Sequence, residues 1–443
     1  MMKTTNWTLW SNGRSRRDVL LTCAALTLLC LFLTSCGLPG KGSGASSATN
    51  GQTGNQSATA SIPGAFTRVQ MMDASIGWAV SWDLAGTGAY HILRTMDGGH
   101  TWESVLECLP TQGVGKGFVE ACATDFHSSS VATVVQPEFD SQTQTSRLRI
   151  FHTSDGGQTW QSSVLAARDR ETPAEFVDGL HGWVFATDHF PGPDPGSDYI
   201  GGQIALYRTS DGGASWQRVA GGPSTPQIAT TTDDSYGIPP FAASARLQFV
   251  TPSTGWLIGT STLPDLSNDS WLYVTHDGGS SWQQVALAFP AEALALWRPT
   301  FFSEQEGVFP VLTFGPAPQN AQGTLVFSTQ DGGQTWTSRA VPMDVTSAVF
   351  LDLQHAVAID TAGKALLTTS DGWQHWGTVP LHTPYTTFSG FDFVSPALGW
   401  VLAYNRTRFL PEPGGGLQQG DVVALLHTTD GGKTWQEIAH SVV

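Results

Sequence analysis

Apolar and polar positions along this chain alternate in short bursts. Runs rich in Val, Ile, Leu, Phe, Thr and Trp are broken by turns of Gly, Asp, Ser and Asn. One stretch shows the unit clearly: "ARLQFV" (245–250), "GWLIGT" (255–260), "SWLYVT" (270–275) and "SWQQVAL" (281–287). Each run has the length and the β-branched or aromatic content of a strand, and no window of similar length carries a helical period. The spacing therefore predicts four strands per unit.

The unit repeats seven times. Its last turn is always a version of one phrase: "RTMDGGHTW" (94–102), "HTSDGGQTW" (152–160), "RTSDGGASW" (208–216), "VTHDGGSSW" (274–282), "STQDGGQTW" (328–336), "TTSDGWQHW" (368–376) and "HTTDGGKTW" (427–435). A second phrase precedes it in most units, as in "SIGWAV" (75–80), "STGWLIG" (253–259) and "ALGWVLA" (397–403), with a weaker "HSSSVATVV" (127–135) in the second unit. A four-stranded unit of forty or more residues cannot bury both of its faces alone, so neighbours must stack. The expected fold is all-β: a single seven-bladed β-propeller of four-stranded antiparallel blades, about 64–109, 118–166, 173–220, 243–288, 297–340, 344–380 and 387–441.

The Asp phrase falls between the third and fourth strands, where the chain must reverse. Gly-Gly supplies positive-φ positions without steric cost. The Asp carboxylate can accept bonds from its own turn, and the Trp opens the last strand with a large apolar ring. Seven equivalent carboxylates around a ring cannot converge on one site. Asp97, Asp155, Asp211, Asp277, Asp331, Asp371 and Asp430 are therefore read as structural.

The phrase resembles the Asp box of the BNR, or sialidase-type, repeat. Its pairing with "GWAV" resembles the photosystem II stability/assembly-factor-like propellers. That resemblance covers all seven units. It implies a seven-bladed propeller that binds proteins, of a kind common among exported bacterial proteins. Unit six departs most, with Trp373 in place of the second Gly and His375 in place of Thr, which puts an ordinary turn there in doubt.

Residues 1–63 do not fit the repeat. "NGRSRRD" (12–18) is basic and "VLLTCAALTLLCLFLTS" (19–35) is apolar, ending in "LTSC". The segment 1–35 resembles a bacterial lipoprotein signal, with Cys36 as the lipidated new N-terminus. An uncleaved membrane anchor is the alternative, and "SRRDVL" (15–20) also resembles a twin-arginine export signal. Residues 36–63, dominated by Gly, Ser, Thr and Ala, read as a flexible tether. The propeller is expected at the outer face of the cell membrane, held by a lipid anchor. There Cys108 and Cys122, flanking the link between blades one and two, can pair as a disulfide or stand as separate buried thiols.

The formal charge is −16. Removal of Lys3, Arg14, Arg16, Arg17 and Asp18 with the signal takes it to about −19. That argues against nucleic acid as a partner. A monomer without cofactor or metal is expected.

In an up-and-down blade the A–B and C–D turns share one face and the B–C and D–A connections share the other. The first two classes are short and uniform here. Length variation sits in the others, such as 188–202, 221–240 and 405–420, and binding is expected there. The candidates for a protein or glycan ligand at that face are Asp198, Tyr199, Tyr236, Arg298, Arg406 and Arg408, within a wider set that includes His189, Asp194 and Phe409. Two functions compete. One is a non-enzymatic binding or assembly scaffold. The other is a glycoside hydrolase, sialidase-like or with a facing carboxylate pair. Three arginines beside a Tyr–Glu pair would mark a sialidase. The Arg-Ile-Pro signature of that family is absent, since "SIPG" (61–64) carries Ser in its place.

Overall fold

The computed structural model describes residues 64–83, 88–109, 122–140, 145–165, 174–187, 204–221, 246–260, 270–285, 287, 293–296, 299–314, 322–341, 348–360, 364–404 and 422–442. Its strands form seven antiparallel sheets, spanning 65–108, 123–165, 175–221, 246–285, 293–341, 348–380 and 387–442. In each sheet the strands, here called A to D, lie side by side in chain order. This is the seven-bladed propeller that the repeats predict. In blade 5 strand A comes in two pieces, Ala293–Leu296 and Thr300–Phe301, both paired with strand B, Gly307–Phe314.

The blades are joined by a recurring aromatic arrangement. The last residue of strand A is Phe in six blades, and it pairs directly with the first residue of strand B. In the Gly-Trp blades that partner is the Gly. A Cβ on Gly255 would lie 2.5 Å from the Phe249 ring, and one on Gly182 would lie 2.6 Å from Phe176. The glycine is there because an aromatic ring lies across it, a pairing that also shields the bare strand backbone.

The other face of that Phe receives the Trp of the preceding blade. Trp183 stacks on Phe249 at 3.5 Å between ring centroids, and Trp256 stacks on Phe301 at 3.4 Å. The Asp-box Trp of the Phe's own blade meets it edge-on, as Trp282 does with Phe249 (6.1 Å, 72°). One ring thus ties two blades together, and Trp78, Trp183, Trp256 and Trp400 are fully buried.

Three joints lack the Trp: at one, Val357 of blade 6 packs with Leu366 against Phe393 of blade 7, and the other two bring in a different ring. In blade 2 the position is Thr133, whose cross-strand partner is His152. The His152 ring takes the place of the indole and stacks on Phe176 at 4.3 Å. Its Nε2 donates to the Gly179 carbonyl (3.1 Å), so Nδ1 accepts from the Thr133 hydroxyl (3.1 Å). Burial pushes this imidazole below its ordinary pKa and keeps it neutral. In blade 5 the position is Val308. The missing volume is filled from blade 6 by Trp373, which packs with Val308, Val326 and Val341. Trp373 occupies the second glycine position of its Asp box at φ 68° and is 4 % exposed. The irregular turn expected in unit six is therefore the site of a repair to the joint beside it.

The ring closes without exchange of a strand, since blade 7 is built wholly from residues 387–442. Phe66, Met71 and Trp102 of blade 1 pack with Trp400, Leu402, Leu425 and Ile438 of blade 7. Trp400 Nε1 donates to the Gly98 carbonyl at 3.0 Å.

Candidate functional site

Six of the seven Asp boxes share one hydrogen-bond pattern, seen at Asp211, while at Asp371 the His375 ring nitrogen takes the place of the Ser or Thr hydroxyl. Its Oδ1 accepts from the Ser215 backbone N–H (2.9 Å) and from the Thr209 hydroxyl (2.8 Å), and its Oδ2 accepts from the Ser215 hydroxyl (2.5 Å). Thr209 in turn accepts the Gly213 N–H at 2.9 Å. The Ser215 hydroxyl and N–H hold the Asp211 carboxyl at about 2. Hydroxyl and backbone donors do the same for Asp155, Asp331 and Asp430, and His375 does it for Asp371. A carboxylate this far below the usual range stays ionised at neutral pH and is no general acid.

The buried Thr two residues before each Asp is a part that the sequence reading did not single out. Thr95, Thr153, Thr209, Thr275, Thr329, Thr369 and Thr428 are all at most 5 % exposed. Its signal was present, because every copy of the phrase has Thr at that position. The A–B turns hold a second unread motif. Each is closed by an Asp, Ser or Thr side chain accepting backbone N–H groups: Asp73, Ser128, Asp178, Thr251, Ser303, Asp352 and Ser395. The first glycine of each Asp box then donates to a carbonyl of its own blade's A–B turn, at 2.7 to 3.2 Å. Both short turn classes are thereby stitched together on one face.

The strand ends that carry the long segments leave from the opposite face. Thr187 pairs with Ile204, and Tyr404 with Val423, at the mouths of segments 188–203 and 405–421. Asp198, Tyr199, Tyr236, Arg298, Arg406 and Arg408 lie outside the described residues, as does Cys36. The wider set His189, Asp194 and Phe409 lies outside them too. Cys108 and Cys122 are joined by a disulfide from the end of blade 1 to the start of blade 2.

A Tyr–Glu pair does occur. The Tyr385 hydroxyl donates to Glu437 Oε2 at 2.6 Å. Glu437 lies on strand D of blade 7, Gln436–Val442, at the outside of the ring. Burial, with Glu437, pushes the Tyr385 phenol up, which makes it harder to ionise and opposes use as a nucleophile. Five arginines are committed in blades 1 to 3. Arg68 bonds Thr124 and Gln70, Arg94 and Arg208 lie over Trp78 and Trp183, and Arg147 and Arg149 share Glu138. Among the described residues no three metal-ligating side chains come together.

Replacing Asp211 by Ala is expected to lower stability by about 1–2 kcal/mol through the lost turn bonds and to leave ligand binding intact. A carboxyl held below its unfolded value contributes stability above about pH 4, and that contribution is lost as pH falls toward 2. The deficit of Asp211→Ala should therefore be constant from pH 5 to 8 and shrink below pH 4. Thermal melts across that range test it. Loss of binding at an unchanged melting temperature would reverse the assignment.

No protein family matches the chain, and no curated protein does. Solved structures of similar fold include YCF48 bound to a D1 peptide, at 18 % identity over 77 % of this chain and 89 % of that one, with a TM-score of 0.42. YCF48 from Cyanidioschyzon merolae is 16 % identical over 77 % of this chain and 93 % of that one, TM-score 0.43. A polysaccharide lyase, the PL25 ulvan lyase bound to its saccharide, is 11 % identical over 72 % of this chain and 81 % of that one, TM-score 0.41. At these identities the likeness is one of fold.

Proposed function

We propose that this chain is an exported, lipid-anchored propeller that binds a protein ligand without turning it over, as an assembly or stability scaffold. One observation carries the reading. In every blade the repeated Asp, Thr and Gly are bonded to their own loop and to the adjacent A–B turn, so the recurring polar chemistry holds the ring and leaves the long connections of the other face for recognition. The Cys108–Cys122 disulfide supports the exported part, because such bonds persist in oxidising surroundings. The apolar segment 19–35 ending at Cys36 supports the anchor.

The test replaces segments 188–203 and 405–421 by two-residue turns, which the paired strand ends Thr187–Ile204 and Tyr404–Val423 can accept. The trimmed protein is expected to fold and to lose capture of its envelope partner, while Asp211→Ala keeps it. Hydrolysis of any member of a glycoside panel by the intact protein would overturn the reading. The anchor is tested separately by fatty-acid labelling, which Cys36→Ser should abolish.

A further inference from the structure

Among the described residues, five of the seven joints carry a hydrogen bond from one blade to the next. Gln70 donates to the Phe126 carbonyl at 2.9 Å, and Trp78 Nε1 to the Ser128 carbonyl at 2.9 Å. Asp125 accepts the Phe176 N–H at 3.2 Å. Trp183 Nε1 donates to the Gly278 carbonyl at 2.9 Å. Gln248 both donates to the Phe301 carbonyl (3.1 Å) and accepts its N–H (2.8 Å). At the closing joint Trp400 Nε1 reaches the Gly98 carbonyl, and Asp392 accepts the Met71 N–H. These side chains come from two places: the next-to-last residue of strand A and the second residue of strand B.

The two joints of blade 6 have lost both places. In strand B the residues are Val308 of blade 5 and Val357 of blade 6, which have no polar side-chain atom. In strand A they are Thr300, whose hydroxyl lacks the reach of a Gln or Asp side chain, and Val349. Among the described residues, blade 6 makes no hydrogen bond, ion pair or ring stack with blade 5 or blade 7. Its polar side chains bond within the blade, as Asp352 does with His355, Asp360 with Lys364 and Asp371 with His375. No strand is shared with a neighbour either. What holds it is apolar packing: Ala358, Leu367 and Trp373 lie against Val308 and Val326 of blade 5, and Val357 and Leu366 lie against Phe393 of blade 7. Trp373 thus restores the volume of the missing indole but not its bond.

We propose that blade 6 is the seam of the ring: the propeller opens along the two flanks of residues 348–380, while the joint between the last and first blades stays shut. Apolar contact is non-directional, so these flanks tolerate a slide or tilt. A hydrogen bond weakens steeply with angle and distance, so the other five joints hold their geometry. Each bond that is missing removes a contribution the other joints keep, and local opening follows the route of lowest free energy. Opening at the seam parts the innermost strands Ala348–Phe350 and Thr387–Phe393, which pack on each other in the closed ring. On the recognition face, the paired strand ends Phe314–Gln322 of blade 5 and Tyr404–Val423 of blade 7 lie on either side of blade 6 and move apart with it. This opening does not depend on what that face binds.

Thiol labelling of single substitutions in the full chain reads the opening, with each labelled site located by peptide mass spectrometry so that the native cysteines do not interfere. Ala358→Cys faces blade 5 and Val357→Cys faces blade 7. Ala79→Cys, on the blade 1 side of the closing joint, and Ala186→Cys, on the blade 3 side of its joint with blade 2, are the comparisons. All four positions are at most 3 % exposed. Labelling at 357 and 358 is expected to be about tenfold faster than at 79 and 186, and insensitive to low denaturant, as a local opening is. Equal rates at all four sites, or the fastest rate at 79, would overturn the proposal. Hydrogen exchange makes the same comparison in the unsubstituted protein, because a blade that parts from its neighbours has only its own sheet to hold it. The amides of Ala356–Ile359 should be about tenfold less protected than those of Gly77–Trp82 and Gly182–Thr187. Equal protection in the three strands would sink the seam.

Discussion

Replacing Phe249 by Ala is expected to destabilise the ring by about 3–5 kcal/mol. Phe249 is 5 % exposed and lies between the Trp183 face of blade 3 and the Trp282 edge of blade 4. Its removal takes away two aromatic contacts, each worth about 0.5–1.5 kcal/mol beyond area. It also leaves a cavity over Gly255, whose missing side chain cannot fill it. The neighbouring strands are fixed by their own ladders, so the site cannot collapse. Leu180→Ala is the control. Leu180 is 55 % exposed on an A–B turn, and its loss should stay within about 0.5 kcal/mol. Denaturant unfolding of both variants decides the matter. Similar small losses would mean that the Phe is not what joins the blades.

Removing the Cys108–Cys122 bridge is expected to lower stability by about 3 kcal/mol, the chain-entropy value for so short a loop. The two cysteines are 14 residues apart, and both are buried. The bridge runs from the end of one blade to the start of the next. It therefore limits how far the unfolded chain can separate blade 1 from blade 2. The double variant Cys108→Ala, Cys122→Ala should melt lower than the wild-type protein and ignore reductant. The wild-type protein should drop to the same value when reduced. A melting temperature insensitive to reductant in both proteins would show that the bridge contributes nothing.

Much of the fold was legible because a blade is a local object. Four short runs and two punctuating phrases lie within one stretch of chain, so the seven-fold count and the strand order could be read directly. What was not legible depends on register and on neighbours. The reason for Gly in "GW" is a Phe six residues earlier, which lands on it only when strands A and B pair as they do. The weak phrase in unit two is answered by His152, nineteen residues away across a strand pair. Trp373 reads as a flaw in its own repeat, and it makes sense only against Val308 of the preceding blade. Asp392 belongs to no phrase at all. Its carboxylate accepts the Met71 N–H across the joint between the last and first blades, 321 residues distant. The candidate site is a harder case. Its residues were inferred from loop length alone, and loop length says where recognition happens but not which side chains perform it.

The strand-by-strand independence of the blades has a consequence for the order in which the molecule is assembled. Hairpins inside a blade are local and quick to form. The closing contacts are as remote as this chain allows, with Phe66 and Ser441 375 residues apart and Trp400 and Gly98 302 apart. A chain that folds from its N-terminus must hold Phe66, Met71 and Trp102 of its first blade uncovered until residues 387–442 arrive. The first blade is thus the earliest to form and the last to be sheltered. A chain cut short before its final blade would leave two apolar flanks open to self-association instead of one smaller ring.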